Sequence, residues 1–157
     1  MADKDKVIAE LQARVARLED ERAILDTLHR YGQAIDAHHA EAWASLFTDD
    51  GTFLCIDDRG NEIIREQGRE ALVQWAQSFA GGESLLMKHC VIAPVIEVGG
   101  DGARVESYFS NLVENEDRTG PPHIRFMGRY RDEMAKGADG RWRFRQRTSI
   151  SEAPKLD

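Results

Sequence analysis

The sequence predicts an α+β fold in which helices gather on one face of an antiparallel sheet. In the first 80 residues, apolar side chains recur at helical spacings of three and four, beginning with Ile8, Leu11, Val15 and Leu18. From residue 85 onward, segments rich in strand-forming residues alternate with glycine-containing turns. Helices followed by hairpin-linked strands are the order typical of an α+β domain.

Three helices are predicted in the first part of the chain. The apolar face of the first helix shifts after Leu18, so the part before it could pack on a partner subunit. The part after it, through Ile35, would pack on the domain's own core. Two heptads would allow a short coiled-coil contact. The other two helices are expected over residues 41–47 and 68–80, and the glycines at 81 and 82 end the third.

Six strands are predicted, and short turns separate most of them. Pro94 marks a bulge or an edge position within the third strand, because proline cannot donate a ladder hydrogen bond. The turn signals lie at residues 48–51, 57–60, 99–102 and 137–140. The strands are expected at residues 52–56, 62–67, 85–98, 103–115, 123–135 and 141–151.

Composition narrows the classes of function. The chain has 157 residues, which suggests one domain, and a formal net charge of −7. An acidic chain without a long basic run is not expected to bind nucleic acid or an anionic membrane surface. No apolar run is long enough to cross a membrane, and the charged N-terminus lacks the apolar core of a signal peptide. We therefore expect a cytoplasmic protein.

Neither the cysteines nor the histidines predict a metal site. Cys55 and Cys90 are the only cysteines, and both are expected to be reduced apolar fillers of strands. Asp36 lies near three histidines, but adjacent histidines in a loop are poor ligands without a distant fourth group. No nucleotide signature of the GxGxxG or GxxxxGK[ST] type occurs, so no cofactor is expected. The three histidines are His29, His38 and His39.

Six phrases occur in a fixed order along the chain and carry a resemblance to a known family: RYGQAID, SLFTDDGTF, GREAL, KHCVIAPVIEVGGDGARVES, GRYRDEM and DGRWRFRQR. With these phrases the chain resembles the SnoaL-like branch of the nuclear-transport-factor-2-like superfamily, with scytalone dehydratase, bile-acid 7α-dehydratase and ketosteroid isomerase as relatives. The resemblance implies a cone-shaped, curved antiparallel (mixed) sheet whose N-terminal helices enclose a pocket. It divides the chain into a helical extension at 1–19, one domain at 20–152 and a tail at 153–157.

The same resemblance implies three catalytic residues. Asp36 matches a carboxylate that ends the first helix of the dehydratase-like members, and His89 matches a histidine that opens the first long strand. Tyr31 matches a polar catalytic position of some members. A histidine can take a proton near neutral pH, and a carboxylate partner fixes its tautomer. Alternatively, His89 is a structural strand histidine, Asp36 a polar helix end and Tyr31 a core residue.

Candidate substrate-binding residues come from the strands. Arg147 lies where some relatives place a pocket arginine, which could clamp a carboxylate or an oxyanion. Arg143, Arg145 and Arg147 alternate along the last strand, however, and are also expected on one solvated face of it. By resemblance, the walls of the pocket would be Phe53, Phe109 and Tyr130.

The resemblance implies a cofactor-free lyase or isomerase that acts on a small hydrophobic ring compound such as a polyketide, a steroid or an aromatic catabolite. The reaction would be proton abstraction by the His–Asp pair with elimination, most simply of water. An isomerase with a carboxylate base is the alternative among enzymes. A ligand-binding module, or an assembly subunit like the small subunit of ring-hydroxylating dioxygenases, is the non-catalytic alternative. A homodimer or homotrimer is expected in each case, because the outer sheet face must be covered.

Overall fold

The computed structural model describes residues 2–80, 86–100, 102–114 and 119–152. It contains three helices, as the sequence predicted: α1 (Ala2–Asp36), α2 (Ala40–Ala44) and α3 (Arg69–Ala80). No helix in these ranges is long and apolar enough to cross a membrane. Helix α1 is continuous through the predicted shift of its apolar face. The predicted stop at residues 81 and 82 lies outside the described residues.

One six-stranded sheet packs with the helices and confirms the predicted α+β class, although α3 lies between β2 and β3 in the chain. The strand order is β2-β1-β6-β5-β4-β3, so β2 and β3 form the edges and the sheet is not closed into a barrel. All neighbours pair antiparallel except β1 and β6, which are parallel and make the sheet mixed. The strands are β1 (Phe47–Asp57), β2 (Glu62–Gln67), β3 (Met87–Gly99), β4 (Gly102–Val113), β5 (His123–Lys136) and β6 (Trp142–Ser151).

Two predictions about irregular backbone have different outcomes. The bulge at Pro94 is confirmed, since the register of β3 against β4 shifts between Ile92 and Val95. The turn predicted at residues 48–51 is wrong, because these residues lie inside β1. Phe47 pairs with Phe144 while Thr52 already pairs with Gln146, so turn-forming residues bulge out of the strand instead of ending it.

The predicted single face for the arginines of the last strand is also wrong. Gln146 pairs with Glu133 and Phe144 pairs with Met134, so Arg145 is an extra residue in β6. A one-residue bulge reverses the side-chain alternation beyond it. Arg145 therefore lies exposed, whereas Arg147 is turned to the inner face of the sheet and is fully buried.

The core lies between the sheet and the second half of α1. Along α1, Ile24, Leu28, Tyr31 and Ile35 are buried at helical spacing and face the sheet. Residues 3–19 of the same helix are exposed throughout. The division into an extension and a domain at residue 20 stays a prediction, but the change of burial occurs close to that position.

Candidate active site

Asp36 and His89 form the centre of the candidate site. Asp36 is the last residue of α1, and His89 lies at the start of β3. The Oδ1 atom of Asp36 is 2.6 Å from Nδ1 of His89, and both side chains are only 9% exposed. The carboxylate also accepts the backbone N–H of His89, at 3.0 Å for Oδ2 and 3.3 Å for Oδ1. The structure thus brings together the two residues that the sequence paired.

A glycine in the opening helix allows this contact. A Cβ atom placed on Gly32 would lie 2.7 Å from the carbonyl oxygen of His89 and 3.5 Å from its Cβ. Real Cβ atoms do not approach a backbone oxygen so closely, so any larger residue would push α1 away from β3. The glycine of the RYGQAID phrase therefore sets the distance across which Asp36 reaches His89.

The imidazole of His89 has two aromatic neighbours, one of them at the protein surface. Its centroid is 6.5 Å from that of Tyr31, edge-on, and 5.9 Å from that of Phe79. Phe79 is 38% exposed, which places this side of the pair next to solvent. Because Asp36 engages Nδ1, the atom of His89 that remains for a substrate is Nε2.

Tyr31 lies deeper than the histidine. It is 2% exposed and contacts the rings of Trp43, Tyr130 and Phe144. Burial raises the pKa of Tyr31 well above the ordinary tyrosine value, and the neighbouring Tyr130 adds to this effect. A hydroxyl held so firmly in its protonated form can donate a hydrogen bond but gives up its proton reluctantly.

Arg147 forms a buried ion pair with Asp132 of the neighbouring strand. Its Nε and Nη2 atoms donate to the two carboxylate oxygens of Asp132, each at 2.8 Å, and both side chains are completely buried. Burial raises the pKa of Asp132, while Arg147 acts against that rise. Burial alone would lower the pKa of Arg147, but Asp132 reverses this and keeps the guanidinium charged.

The guanidinium of Arg147 is also enclosed by aromatic rings. Its Cζ atom lies 4.1 Å from the ring centroid of Tyr31, 4.0 Å from that of Tyr130 and 4.3 Å from that of Phe144. Such cation–π contacts are favourable at these distances. Only Nη1 is left, and it has no hydrogen-bond partner within the described part of the chain. Arg147 is therefore not an open clamp, and its role in substrate binding stays a prediction that depends on this one atom.

The three predicted pocket walls all belong to the buried core. Phe53 lies 5.5 Å from Trp43 and 4.7 Å from Trp75, measured between ring centroids. Phe109 stacks on Tyr130 at 4.6 Å. These rings thus pack on each other between the sheet and the helices, and whether they contact a substrate stays a prediction.

Sequence reasoning missed Asp132 and Asn111. The alternation of Tyr130, Asp132 and Met134 in the GRYRDEM phrase places a carboxylate on the buried face of β5, and this signal was available. Asn111 pairs directly with His89 across the ladder between β3 and β4. Residues directly opposite in such a pair project to the same face. Asn111 is 8% exposed, and its Oδ1 has no hydrogen-bond partner among the described residues.

A cleft elsewhere on the molecule does not include the histidine pair. It has a volume of about 690 Å³ and lies on the outer side of α1, next to α2 and the turn between β5 and β6. Arg30 and Arg143 line it, but each is already paired with an aspartate. Within the described residues, no group of three or more His, Cys, Asp or Glu side chains is placed to hold a metal ion.

Solved structures with the same fold come from several bacteria. A protein of unknown function from Mycobacterium tuberculosis is 26% identical, with a TM-score of 0.76 over 88% of this chain and 75% of that chain. The beta subunit of a candidate aromatic-ring-hydroxylating dioxygenase from Novosphingobium aromaticivorans is 24% identical, with a TM-score of 0.76 over 91% and 95%. A candidate scytalone dehydratase from the same organism is 22% identical, with a TM-score of 0.71 over 87% of each chain.

No curated protein sequence is significantly similar to this chain. The fold of the solved structures agrees with the cone-shaped architecture that the sequence implied. The family model of the SnoaL-like domain matches residues 16–148, which is most of the chain. The protein therefore belongs to the SnoaL-like family.

Proposed function

We propose that this protein is a cofactor-free lyase of the dehydratase type, acting on a small hydrophobic ring compound with His89 as the proton-abstracting base. The observation that carries the proposal is the 2.6 Å contact between Asp36 Oδ1 and His89 Nδ1. A carboxylate bonded to one imidazole nitrogen fixes the proton there and leaves the other nitrogen free to act as a base. The aromatic rings beside His89 suit an apolar substrate better than a charged one.

The geometry favours His89 over Asp36 as the base. Both oxygens of Asp36 already accept hydrogen bonds from His89, so this carboxylate orients the histidine and stabilises the imidazolium. In the proposed reaction, Nε2 removes a proton from the carbon next to a substrate carbonyl, and the electron pair moves to the carbonyl oxygen. The carbonyl then re-forms, a double bond forms between the α and β carbons, and the hydroxyl on the β carbon leaves. That hydroxyl takes the proton back from the imidazolium, so water is the only other product.

Tyr31 and Asn111 are the candidates that hold the substrate during these steps. The hydroxyl of Tyr31 would donate a hydrogen bond to the developing oxyanion, because its raised pKa keeps it protonated. The guanidinium of Arg147, paired with Asp132, packs on the Tyr31 ring and would hold it in place. Asn111 would bond a substrate hydroxyl beside His89, which would satisfy its buried carbonyl oxygen.

The experiment uses a panel of cyclic ketones that carry a hydroxyl on the carbon β to the carbonyl, incubated with the purified protein in D2O. Mass spectrometry reports loss of water and deuterium uptake next to the carbonyl. His89→Gln and Asp36→Asn should each lower turnover at least about 100-fold, as expected for general base catalysis. His123→Gln is the matched control, because His123 is an exposed strand histidine at the start of β5. Undiminished turnover by His89→Gln would overturn the assignment.

The isomerase alternative gives a different pattern in the same assay. A proton shuttle without elimination would show deuterium uptake and double-bond migration, but no loss of water. An Asp36 base would retain substantial rate in His89→Gln and lose it in Asp36→Asn.

A non-catalytic assembly role is the second candidate, and the outer sheet face favours it. Ile92, Val95, Tyr108 and Met127 are between 45% and 64% exposed on β3, β4 and β5. An apolar surface of this kind is typical of a face that is covered in the assembled protein. If the whole panel is inert while the chain copurifies with a larger subunit encoded beside it, the assembly role replaces the enzymatic one.

A further inference from the structure

The first half of α1 carries an apolar stripe that the described part of the chain does not cover. Residues 3–19 are all exposed, so this half of the helix projects from the domain. Four of its five large aliphatic side chains, here called the N-terminal stripe, lie on one side of the helix, and a groove of about 320 Å³ runs beside Ile8, Leu11 and Val15. The stripe consists of Ile8 (43% exposed), Leu11 (55%), Val15 (52%) and Leu18 (56%).

The spacing of the stripe is that of a coiled coil. Its residues are separated by three, four and three positions, which gives the a and d positions of two heptads. The a positions hold the β-branched residues Ile8 and Val15, and the d positions hold Leu11 and Leu18. β-Branched residues at a with leucine at d favour two parallel strands over three or four. We propose that the N-terminal stripe pairs with the same stripe of a second copy of this chain in a parallel two-stranded coiled coil.

The charges beside the stripe select this partner and this orientation. Arg14 is at position g and Glu19 at the following e position, which face each other across a parallel pair of helices. Neither takes part in an ion pair within the described part of the chain. In an antiparallel pair, e would face e, so Glu19 would meet Asp5, and Arg14 would meet Arg14. These like charges disfavour the antiparallel arrangement.

The coiled coil has a defined end and a rigid support. The next a position after Leu18 is the exposed Arg22, and from Ile24 onward the apolar face of α1 turns to its own domain. The paired segment from Ile8 to Leu18 is therefore short, because an α-helix rises only about 1.5 Å per residue. An isolated helix of this length would be marginal, but α1 continues without a break to Asp36, so its nucleation is already achieved in the folded domain.

The test compares association of the full chain with that of two variants by analytical ultracentrifugation over a range of concentrations. Leu11→Glu/Leu18→Glu, the seam variant, places charges in the N-terminal stripe, where the two helices would meet. Ala9→Glu/Ala13→Glu, the outer-side control, adds the same charges on the opposite side of the same exposed helix. The seam variant should lose one association step that the wild type and the outer-side control both retain. Circular dichroism establishes that both variants keep their helix content. Equal association of the seam variant and the wild type, or a wild type that stays monomeric, would overturn the proposal.

Orientation and partner are tested separately. With Cys55 and Cys90 replaced by alanine, Leu11→Cys should form a disulfide-linked dimer on mild oxidation, because d residues face their own counterparts in a parallel pair. Arg14→Glu should weaken the association, and Arg14→Glu/Glu19→Arg should restore it. A trimer in the ultracentrifuge, no disulfide-linked dimer on oxidation, or no effect of the charge swap counts against the two-stranded parallel arrangement. None of these readouts depends on enzymatic activity.

Discussion

Gly32 of helix α1 lies directly against the carbonyl oxygen of His89, at a distance that leaves no room for a methyl group. The helix and the strand that carry the two halves of the candidate pair thus meet backbone to backbone. Gly32 lies inside the helix, about one turn before its last residue Asp36, and glycine within a helix costs stability relative to alanine. The close approach explains why glycine stands there.

We expect Gly32→Ala to destabilise the protein although alanine is the better helix former. The added Cβ would lie 2.7 Å from a backbone oxygen, and backbone cannot move aside as a side chain can. Overpacking of this kind costs about 1–3 kcal/mol, measured as the free energy of unfolding in denaturant titrations. Gly99→Ala is the control, because a Cβ there meets nothing within 4 Å. Equal stability of the two variants would show that the contact between α1 and β3 is not tight.

The contact between Asp36 and His89 predicts which tautomer the neutral imidazole adopts. Because Asp36 accepts the proton of Nδ1, the lone pair should lie on Nε2. Two-bond nitrogen–proton correlation spectra of the labelled protein distinguish the two tautomers. Asp36→Ala should shift His89 toward the Nε2-protonated tautomer, while His123 keeps its signals. A wild-type ring that carries its proton on Nε2 would contradict the proposed base.

The buried pair of Arg147 and Asp132 should behave as a unit. Arg147→Met alone leaves an uncompensated carboxylate in the core, and Asp132→Leu alone leaves an uncompensated guanidinium; either loss should cost about 3–5 kcal/mol. The double variant should recover much of that loss, because no buried charge then remains. Denaturant titrations of the four proteins give the coupling free energy directly.

An exposed cross-strand pair serves as the control for that cycle. Arg131 lies on β5, next to Asp132, and pairs with Glu106 of β4, but more than half of each side chain is exposed. Removing either partner should change stability little, because solvent screens the pair. If the buried pair shows no larger coupling than this exposed pair, Arg147 does not anchor the interior of the cone.

Cys55 predicts a pH dependence of stability on the alkaline side. Burial raises the pKa of the Cys55 thiol from 9.0 to about 11. Between these values the unfolded chain releases the thiol proton while the folded chain retains it, so stability is fully present below pH 9 and falls as the pH rises toward 11. Cys55→Ala should flatten the free energy of unfolding in this window, whereas Cys90→Ala keeps the Cys55 thiol and should keep the slope. Identical slopes in the two variants would contradict the burial of Cys55.

Much of the fold could be predicted from the sequence because local signals agree with it. The bounds of β2 and the bulge at Pro94 follow from turn residues and from proline's missing N–H. The parallel pairing of β1 with β6 could not be predicted locally, since it joins strands that are about 90 residues apart. The bulge near residues 48–51 belongs to that pairing, which is why those residues resembled a turn.

The candidate site could be predicted where a family motif identified the residue. It was less predictable where packing in the folded protein determines which way a side chain faces. Asp36 and His89 came from matched positions at the end of a helix and the start of a strand, and the structure brings their side chains together. Simple alternation of side chains along β6 did not predict the inward position of Arg147, because the extra residue Arg145 reverses that alternation. The buried position of Asp132 could have been predicted from the regular alternation of side chains along the neighbouring strand β5.

The position of β6 in the sheet has a consequence for how the chain reaches its folded state. This strand lies between β1 and β5, yet of the six described strands it is the last to be synthesised. Until it arrives, the hairpin of β1 and β2 and the meander of β3 to β5 each expose an open strand edge. Completing the sheet therefore requires contacts between parts of the chain that are far apart in sequence, and such contacts form slowly. Before that step the unpaired strand edges could pair with those of other chains, which favours aggregation.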